Sequence, residues 1–231
     1  MVISTQVLFL SFLALTCSIG LASDPSPLQD FCVADPNNPG TSSLFLICYV
    51  AVKLNGIVCK DPKLVEAKDF FRSGLHVPGD TNNSAGSQIT PASIVQIPGL
   101  NTLGISLARL DFAPNSIVTP HTHPRATEIL TLLEGTLLVG FVTSNPENRL
   151  ITKTLNKGDV FVFPIGLIHF HQNIAHRPAV AIVAFSSQNP GIVTIENSVF
   201  GSKPDIPTNI LAKAFQTNPA IIANIQSKFL R

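Results

Sequence analysis

Between positions 92 and 195 the chain alternates short runs of aliphatic, β-branched and aromatic residues with clusters of turn formers. The runs at 105–112, 128–133, 136–142, 150–155, 160–163 and 179–185 have strand length and strand composition, and their spacing predicts an antiparallel sandwich or barrel. Glu134-Gly135 and Asn156-Lys157-Gly158-Asp159 read as hairpin connections between them. Past Gly201 the hydrophobic period lengthens. Pro207-Thr208-Asn209 precedes Ile210, Leu211 and Phe215, and Asn218-Pro219 precedes Ile221, Ile222, Ile225 and Phe229. This predicts two short amphipathic helices, the second with an Asn cap and Pro at its first position. Helices this short are marginal alone, so their apolar faces are expected to pack on the barrel or on a neighbouring subunit. Residues 23–70, rich in Asp and Pro, read as an extended arm more than a second core. Within the arm, the nine apolar residues at 44–52 have the length of a strand and are too few to span a membrane. The organisation is all-β: an arm over 23–70, a barrel over 71–200 and a helical segment over 201–231.

Composition narrows this picture. The 231 residues suffice for one domain with a substantial core, and 45% of them are hydrophobic. Charged residues are only 13%, against ~25% in an average soluble domain, which points to burial of surface between subunits. The formal net charge is +1, and no Lys or Arg run interleaves with aromatics, so the electrostatic footprint of a nucleic-acid binder is missing.

The apolar stretch 7–15 followed by Gly20-Leu21-Ala22 reads as an export signal over 1–22, with small residues where a signal peptidase cuts. It is too short, and too broken by Ser and Thr, for a transmembrane anchor. Cys17 would leave with the signal, and Cys32, Cys48 and Cys59 would remain, enough for one bridge and one free thiol in an oxidising compartment. Composition leaves the three possible pairings open, although Asn55-Gly56 marks a tight turn just before Cys59. The sequon Asn82-Asn83-Ser84 lies among Gly and Ser in an expected surface loop and makes Asn82 a candidate for N-glycosylation.

The sharpest chemical signal is His121-Thr122-His123, because residues two apart on a strand point to one face and would aim both imidazoles into the barrel. Glu128 stands at an odd offset from His123, so a turn at Pro124-Arg125 is needed for the next strand to bring its carboxylate to the same point. His169-Phe170-His171 repeats the pair spacing beyond the Pro164-Ile165-Gly166 turn. Any one of these would more often be an ordinary histidine on a half-buried sheet. Four of the six histidines fall in two such pairs beside Pro turns, a coincidence that metal binding explains more economically. Spacing leaves the choice between His169 and His171 open, since both face the same way.

These residues carry a family pattern. The stretch Pro120-His121-Thr122-His123-Pro124-Arg125-Ala126-Thr127-Glu128, closed by Gly135, resembles the first conserved box of the germin-like proteins, secreted plant members of the cupin superfamily. The second box is matched from Gly158 through Pro164, Gly166 and His169 to Asn173, and the likeness extends from Gln29-Asp30-Phe31-Cys32-Val33-Ala34-Asp35 to the helical C-terminus. The resemblance implies a cupin (jelly-roll) β-barrel with an N-terminal disulfide-linked arm. It also implies Mn(II) held by His121, His123, Glu128 and His169, and a homo-hexamer built as a trimer of dimers. It leaves His171 as a core residue or a neighbour of the ligands. Mixed imidazole and carboxylate ligation suits Mn(II), but a generic site of this kind favours Zn or Cu, so manganese rests on the family. The disulfide it implies is Cys32–Cys59. Relatives have a shorter intervening segment, which makes 40–52, with Cys48, an insertion.

The first box normally opens with Gly-Gly, where this chain has Asn115-Ser116, and Asn still tolerates a left-handed turn. In oxalate-oxidising germins two asparagines line the substrate pocket at the positions of Ala108 and Val118. Neither side chain here can donate a hydrogen bond to a carboxylate, a loss of about 1–3 kcal/mol per missing bond for a buried dianion. The resemblance therefore implies a manganese cupin of the plant apoplast, in the extracellular space, with a role in defence and superoxide dismutase activity. The alternatives are oxalate oxidase, against which the pocket argues, and a non-enzymatic wall-associated binding or structural glycoprotein that holds a small molecule. Lys157-Gly158-Asp159 resembles an adhesion tripeptide, but a Gly-Asp turn explains it better.

Overall fold

The computed structural model describes residues 30–35 and 57–229. The export-signal segment, the apolar run 44–52, Cys48 and the Asn55-Gly56 turn lie outside them. The described residues fall into two units: 30–35, 57–70 and 98–103 in the first, and 71–97 with 104–229 in the second.

In the first unit, β1 (Ala34–Asp35) pairs antiparallel with β2 (Val58–Cys59), with Ala34 opposite Cys59. The disulfide joins Cys32 to Cys59, as the family likeness implied. Closing a loop of 27 residues' separation removes unfolded-chain entropy worth roughly 3.5 kcal/mol. Around it the Phe31 and Phe70 rings meet edge to face at 5.7 Å, and the Lys60 ammonium lies 2.9 Å from Asp69.

The second unit is two five-stranded antiparallel sheets. One runs in the order β3 (Ser87–Ala92), β4 (Ser106–Phe112), β11 (Ala179–Phe185), β6 (Glu128–Glu134), β9 (Val160–Phe163). The other runs β12 (Val193–Thr194), β5 (Ile117–Thr122), β10 (His169–Asn173), β7 (Thr136–Val142), β8 (Leu150–Asn156). Their alternation is the period of two read from the sequence. On β6, Leu130 and Leu132 point inward while Ile129 and Leu133 point out; on β11, Ala179, Ala181, Val183 and Phe185 point inward. These residues join Leu110 and Phe112 from the first sheet and Val118, Leu137, Val139 and Leu155 from the second in one core between the sheets. On the outer face of β4, Arg109 and Asp111 form a bidentate pair, and they fasten residues 75–79 through Leu75 O and Gly79 N.

Two connections differ from the sequence reading. Glu134-Gly135 and Asn156-Lys157-Gly158-Asp159 are tight turns but not hairpins: β6 and β7 belong to opposite sheets, as do β8 and β9. The hairpin here is β7–β8, closed across 143–149. A turn's local chemistry is the same whether the next strand pairs beside the last or folds over it, and only long-range pairing tells the two apart. At the first corner Gly135 has φ +89°, and a Cβ there would come within 2.5 Å of Ala179 Cβ. Asn115 adopts the left-handed backbone expected of it, with φ 58°.

A further difference lies at the end of the barrel segment, where the chain forms α1 (Ile195–Phe200), a helix too short to leave a periodic signal. The two helices read from the sequence are α2 (Thr208–Ala214) and α3 (Pro219–Ser227), the latter capped by the Asn218 side chain with Pro219 in its first turn. They pack on each other and on α1, in a cluster of Leu211, Ala212 and Ile222 with Val199, Phe200 and Ile206, instead of on the barrel core. Ile210, Phe215 and Ile221 remain exposed.

Candidate metal centre

The two sheets bring the candidate residues together from opposite sides. β5 and β10 are neighbours, with His121 directly opposite His169, so these imidazoles arise from adjacent positions of one sheet. His123 follows β5 by one residue, past Thr122. Glu128 opens β6 in the facing sheet. Its odd offset from His123 therefore ceases to matter, because the carboxylate reaches the point from across the barrel. All four residues are buried, and one ligand atom from each lies within 4.8 Å of the others, close to the ~4.4 Å that spans a metal ion with ~2.2 Å bonds.

The hydrogen bonds decide which nitrogens are free. His121 Nδ1 lies 2.7 Å from Thr119 O, His169 Nδ1 lies 2.9 Å from Leu167 O, and His123 Nδ1 is bonded to Gly191 O. A carbonyl can only accept, so each Nδ1 carries its ring's proton and each neutral ring is left with a bare Nε2 lone pair. Those lone pairs meet a carboxylate: His123 Nε2 is 3.0 Å and His169 Nε2 is 3.3 Å from Glu128 Oε2, while Glu128 Oε1 has no hydrogen-bond partner. Burial, followed by the neighbouring rings of His169 and His171, pushes His121 down to about 3, so this imidazole resists taking up a proton of its own. Convergent lone pairs with no donor between them repel, and one cation would satisfy them all. The residues fit a metal ion.

Packing holds the rings in place. Phe163 stacks on His169 at 4.7 Å, and Phe185 meets His123 edge to face at 4.8 Å. Gly191, whose carbonyl orients His123, has φ +66°, a backbone that L side chains rarely adopt, and a Cβ there would displace the Arg125 guanidinium, 2.7 Å away. Arg125 in turn donates from Nε to Asn189 O at 2.8 Å. Sequence reasoning missed this support. Only the turn signal Asn189-Pro190-Gly191 hinted at it, since contacts over some 65 residues of chain leave no local trace.

His171 stands apart. Antiparallel pairing of His169 with His121 carries His171 past Thr119, and a register shift between the two histidines sets it opposite Val118; it lies outside the four-residue cluster. It too is buried, which pushes its imidazole down to about 4, and its Nε2 approaches Glu128 Oε1 only to 3.5 Å.

A cavity of about 340 Å³ opens onto the centre, walled by Ile89, Leu110, Val118, Val183 and Phe185 and reaching His121, His123, Glu128 and His171. Ala108 is also in its wall. Asn82 lies elsewhere, exposed in the loop before β3, and Lys157 is exposed in the β8–β9 corner.

Residues 73–222 match the cupin family model. Germin-like protein 8-2 of Oryza sativa subsp. japonica is 59% identical over 227 residues, covering 95% of this chain and 97% of its own length. This chain belongs to the germin-like proteins of the cupin family. Germin-like protein subfamily 1 member 20 of Arabidopsis thaliana is 54% identical over 228 residues, with 98% of each chain covered. Among solved structures, an oxalate oxidase in complex with the substrate analogue glycolate superimposes with a TM-score of 0.79 at 41% identity, over 90% of this chain and 98% of its own. Germin-like membership accounts for the jelly-roll fold, the arm disulfide and the His3Glu constellation together. Among the described residues no helix is long and apolar enough to cross a membrane.

Proposed function

We propose that this germin-like chain is a secreted manganese protein of the plant apoplast that dismutates superoxide in a defence role, with His121, His123, Glu128 and His169 as its ligands. The observation that carries the reading is the convergence of three Nε2 lone pairs, their Nδ1 protons tied to backbone carbonyls, on the Glu128 carboxylate. When bound there, manganese supplies a centre that changes oxidation state and keeps coordination positions open, which superoxide dismutation requires. The chain's residues do the rest: the carbonyls of Thr119, Leu167 and Gly191 hold the rings in one tautomer, and Phe163 and Phe185 fix their planes.

Several features support the setting. The 1–22 segment has the pattern of an export signal, Asn82 is exposed in a sequon, and the disulfide suits an oxidising compartment. Ile129 and Val162 face each other on the outer surface of β6 and edge strand β9, and both are exposed, as is Val160. With the bare apolar residues of α2 and α3 they give a homo-oligomer, read as a hexamer of three dimers, surface to bury.

The likeness to oxalate oxidase makes oxalate oxidation the second reading. The cavity opposes it, because Ala108 and Val118 line it where a buried dianion needs donors, and no Lys or Arg does. Metal analysis of the purified protein, with superoxide and oxalate assays in parallel, tests both. Manganese with superoxide turnover supports the first reading. Peroxide release from oxalate overturns it in favour of the second, and bound manganese without turnover leaves a non-enzymatic wall glycoprotein.

A further inference from the structure

We propose that the cavity beside the metal centre binds a neutral hydroxyl-bearing molecule with an apolar body, a simple phenol being the type, and that His171 hydrogen-bonds its hydroxyl. The proposal rests on the metal-centre reading for its location, and goes beyond it in naming the ligand class and a specificity residue.

The walls exclude most other occupants. Away from the metal centre they are mostly aliphatic and aromatic, they include no Lys or Arg, and at about 340 Å³ they leave space for a single ring with a short substituent. A dianion that placed one carboxylate at the centre would leave the other against hydrocarbon. The polar groups of the wall are largely committed already. Ser106 Oγ donates to Ser187 O at 2.7 Å, Ser93 Oγ lies 3.0 Å from Gln96 Oε1, and Asn189 Oδ1 accepts from Arg125 Nη2 at 3.2 Å.

Apart from the metal-centre residues themselves, His171 is the exception. It is 1% exposed, it lines the cavity, and neither ring nitrogen has a hydrogen-bond partner, the 3.5 Å approach of Nε2 to Glu128 Oε1 being too long for one. Buried polar atoms without partners are rare, and this one belongs to a residue with a donor and an acceptor nitrogen. A hydroxyl can accept from the one or donate to the other. The register shift that sets His171 opposite Val118 puts this polar ring beside an apolar wall, the pairing that an amphipathic ligand matches. Phe185, also in the wall, offers a face or edge to a flat ring.

The test is calorimetric titration of p-cresol and, separately, oxalate into the purified full-length protein, with metal content measured on the same samples. Wild type should bind one p-cresol per subunit with a Kd of ~1 mM or tighter and bind oxalate more weakly. His171→Leu should weaken p-cresol about five- to tenfold with metal content unchanged. His171→Gln, which keeps a donor and an acceptor, should stay within about twofold of wild type, and Ala108→Phe, which fills the cavity, should abolish binding. Equal affinity in His171→Leu, or loss of its metal, overturns the role given to His171. Oxalate binding tighter than p-cresol overturns the ligand class. Metal-bound wild type that takes no p-cresol sinks this proposal alone, whereas p-cresol binding to protein that retains no metal sinks the metal reading and leaves this one standing.

Discussion

The two ends of β10 carry polar side chains of nearly equal inaccessibility, His169 at 1% and Asn173 at 0% exposure, and the fold treats them in opposite ways. Asn173 is saturated: Nδ2 donates to Ala113 O and Arg177 O at 2.9 and 2.7 Å, and Oδ1 accepts from Ala175 N at 3.0 Å. At the other end His169 uses only Nδ1 on the backbone, while its Nε2 faces the Nε2 of His123 and an anionic carboxylate. Burial alone therefore does not mark a site. A buried polar group whose bonds are all met by backbone closes a corner of the barrel; one whose remaining lone pairs converge with others demands a cation.

The largest effect that sharpens this contrast is loss of a ligand. His121→Ala should lower apparent metal affinity on the order of a hundredfold or more, beyond the ~10–100-fold typical of losing a residue that merely orients a ligand. Metal analysis after dialysis reads it, with circular dichroism showing the barrel intact; full metal retention would break the contrast. At the saturated end, Asn173→Ala should cost about 2–4 kcal/mol in urea unfolding, since three hydrogen bonds of a fully buried amide, to Ala113 O, Arg177 O and Ala175 N, are lost, while the folded fraction keeps its metal. A smaller cost of about 1–2 kcal/mol is expected for Gly135→Ala, where a left-handed backbone and contact with Ala179 coincide, again without change in metal stoichiometry.

The smallest effect lies in the arm. The backbone N–H of Glu66, followed by the Lys60 ammonium, holds the Asp69 carboxyl below its ordinary range. A depressed carboxyl contributes stability that is present above its unfolded value and lost as pH falls through the folded one. The Tm difference between wild type and Asp69→Asn should thus be small at pH ~7 and shrink below pH ~4. A difference that grows in acid would contradict the assigned partners.

Strand periodicity was legible because it reports the local geometry of a pleated chain: 136–142, 160–163 and 179–185 coincide with β7, β9 and β11. Turn chemistry was legible at Asn115 and Gly135 for the same reason. What escaped was everything set by pairing at a distance. The two corners passed for hairpins, α1 passed for barrel, and the support given by Arg125 and Phe163 left no mark in its own neighbourhood.

The amino-acid sequence by itself determined the alternating faces and the two His-x-His pairs with Glu128 near the first, because side-chain direction along a strand follows from backbone stereochemistry. It left His169 and His171 equivalent, as any two positions of one parity on a strand must be. The tertiary structure separated them. The antiparallel pairing of β5 with β10 brings His169 level with His121 and carries His171 on to Val118, and the crossing of β6 to the facing sheet delivers Glu128 from the other side. Which lone pairs converge depends on strands from distant parts of the chain, and only the closed barrel puts them at one point.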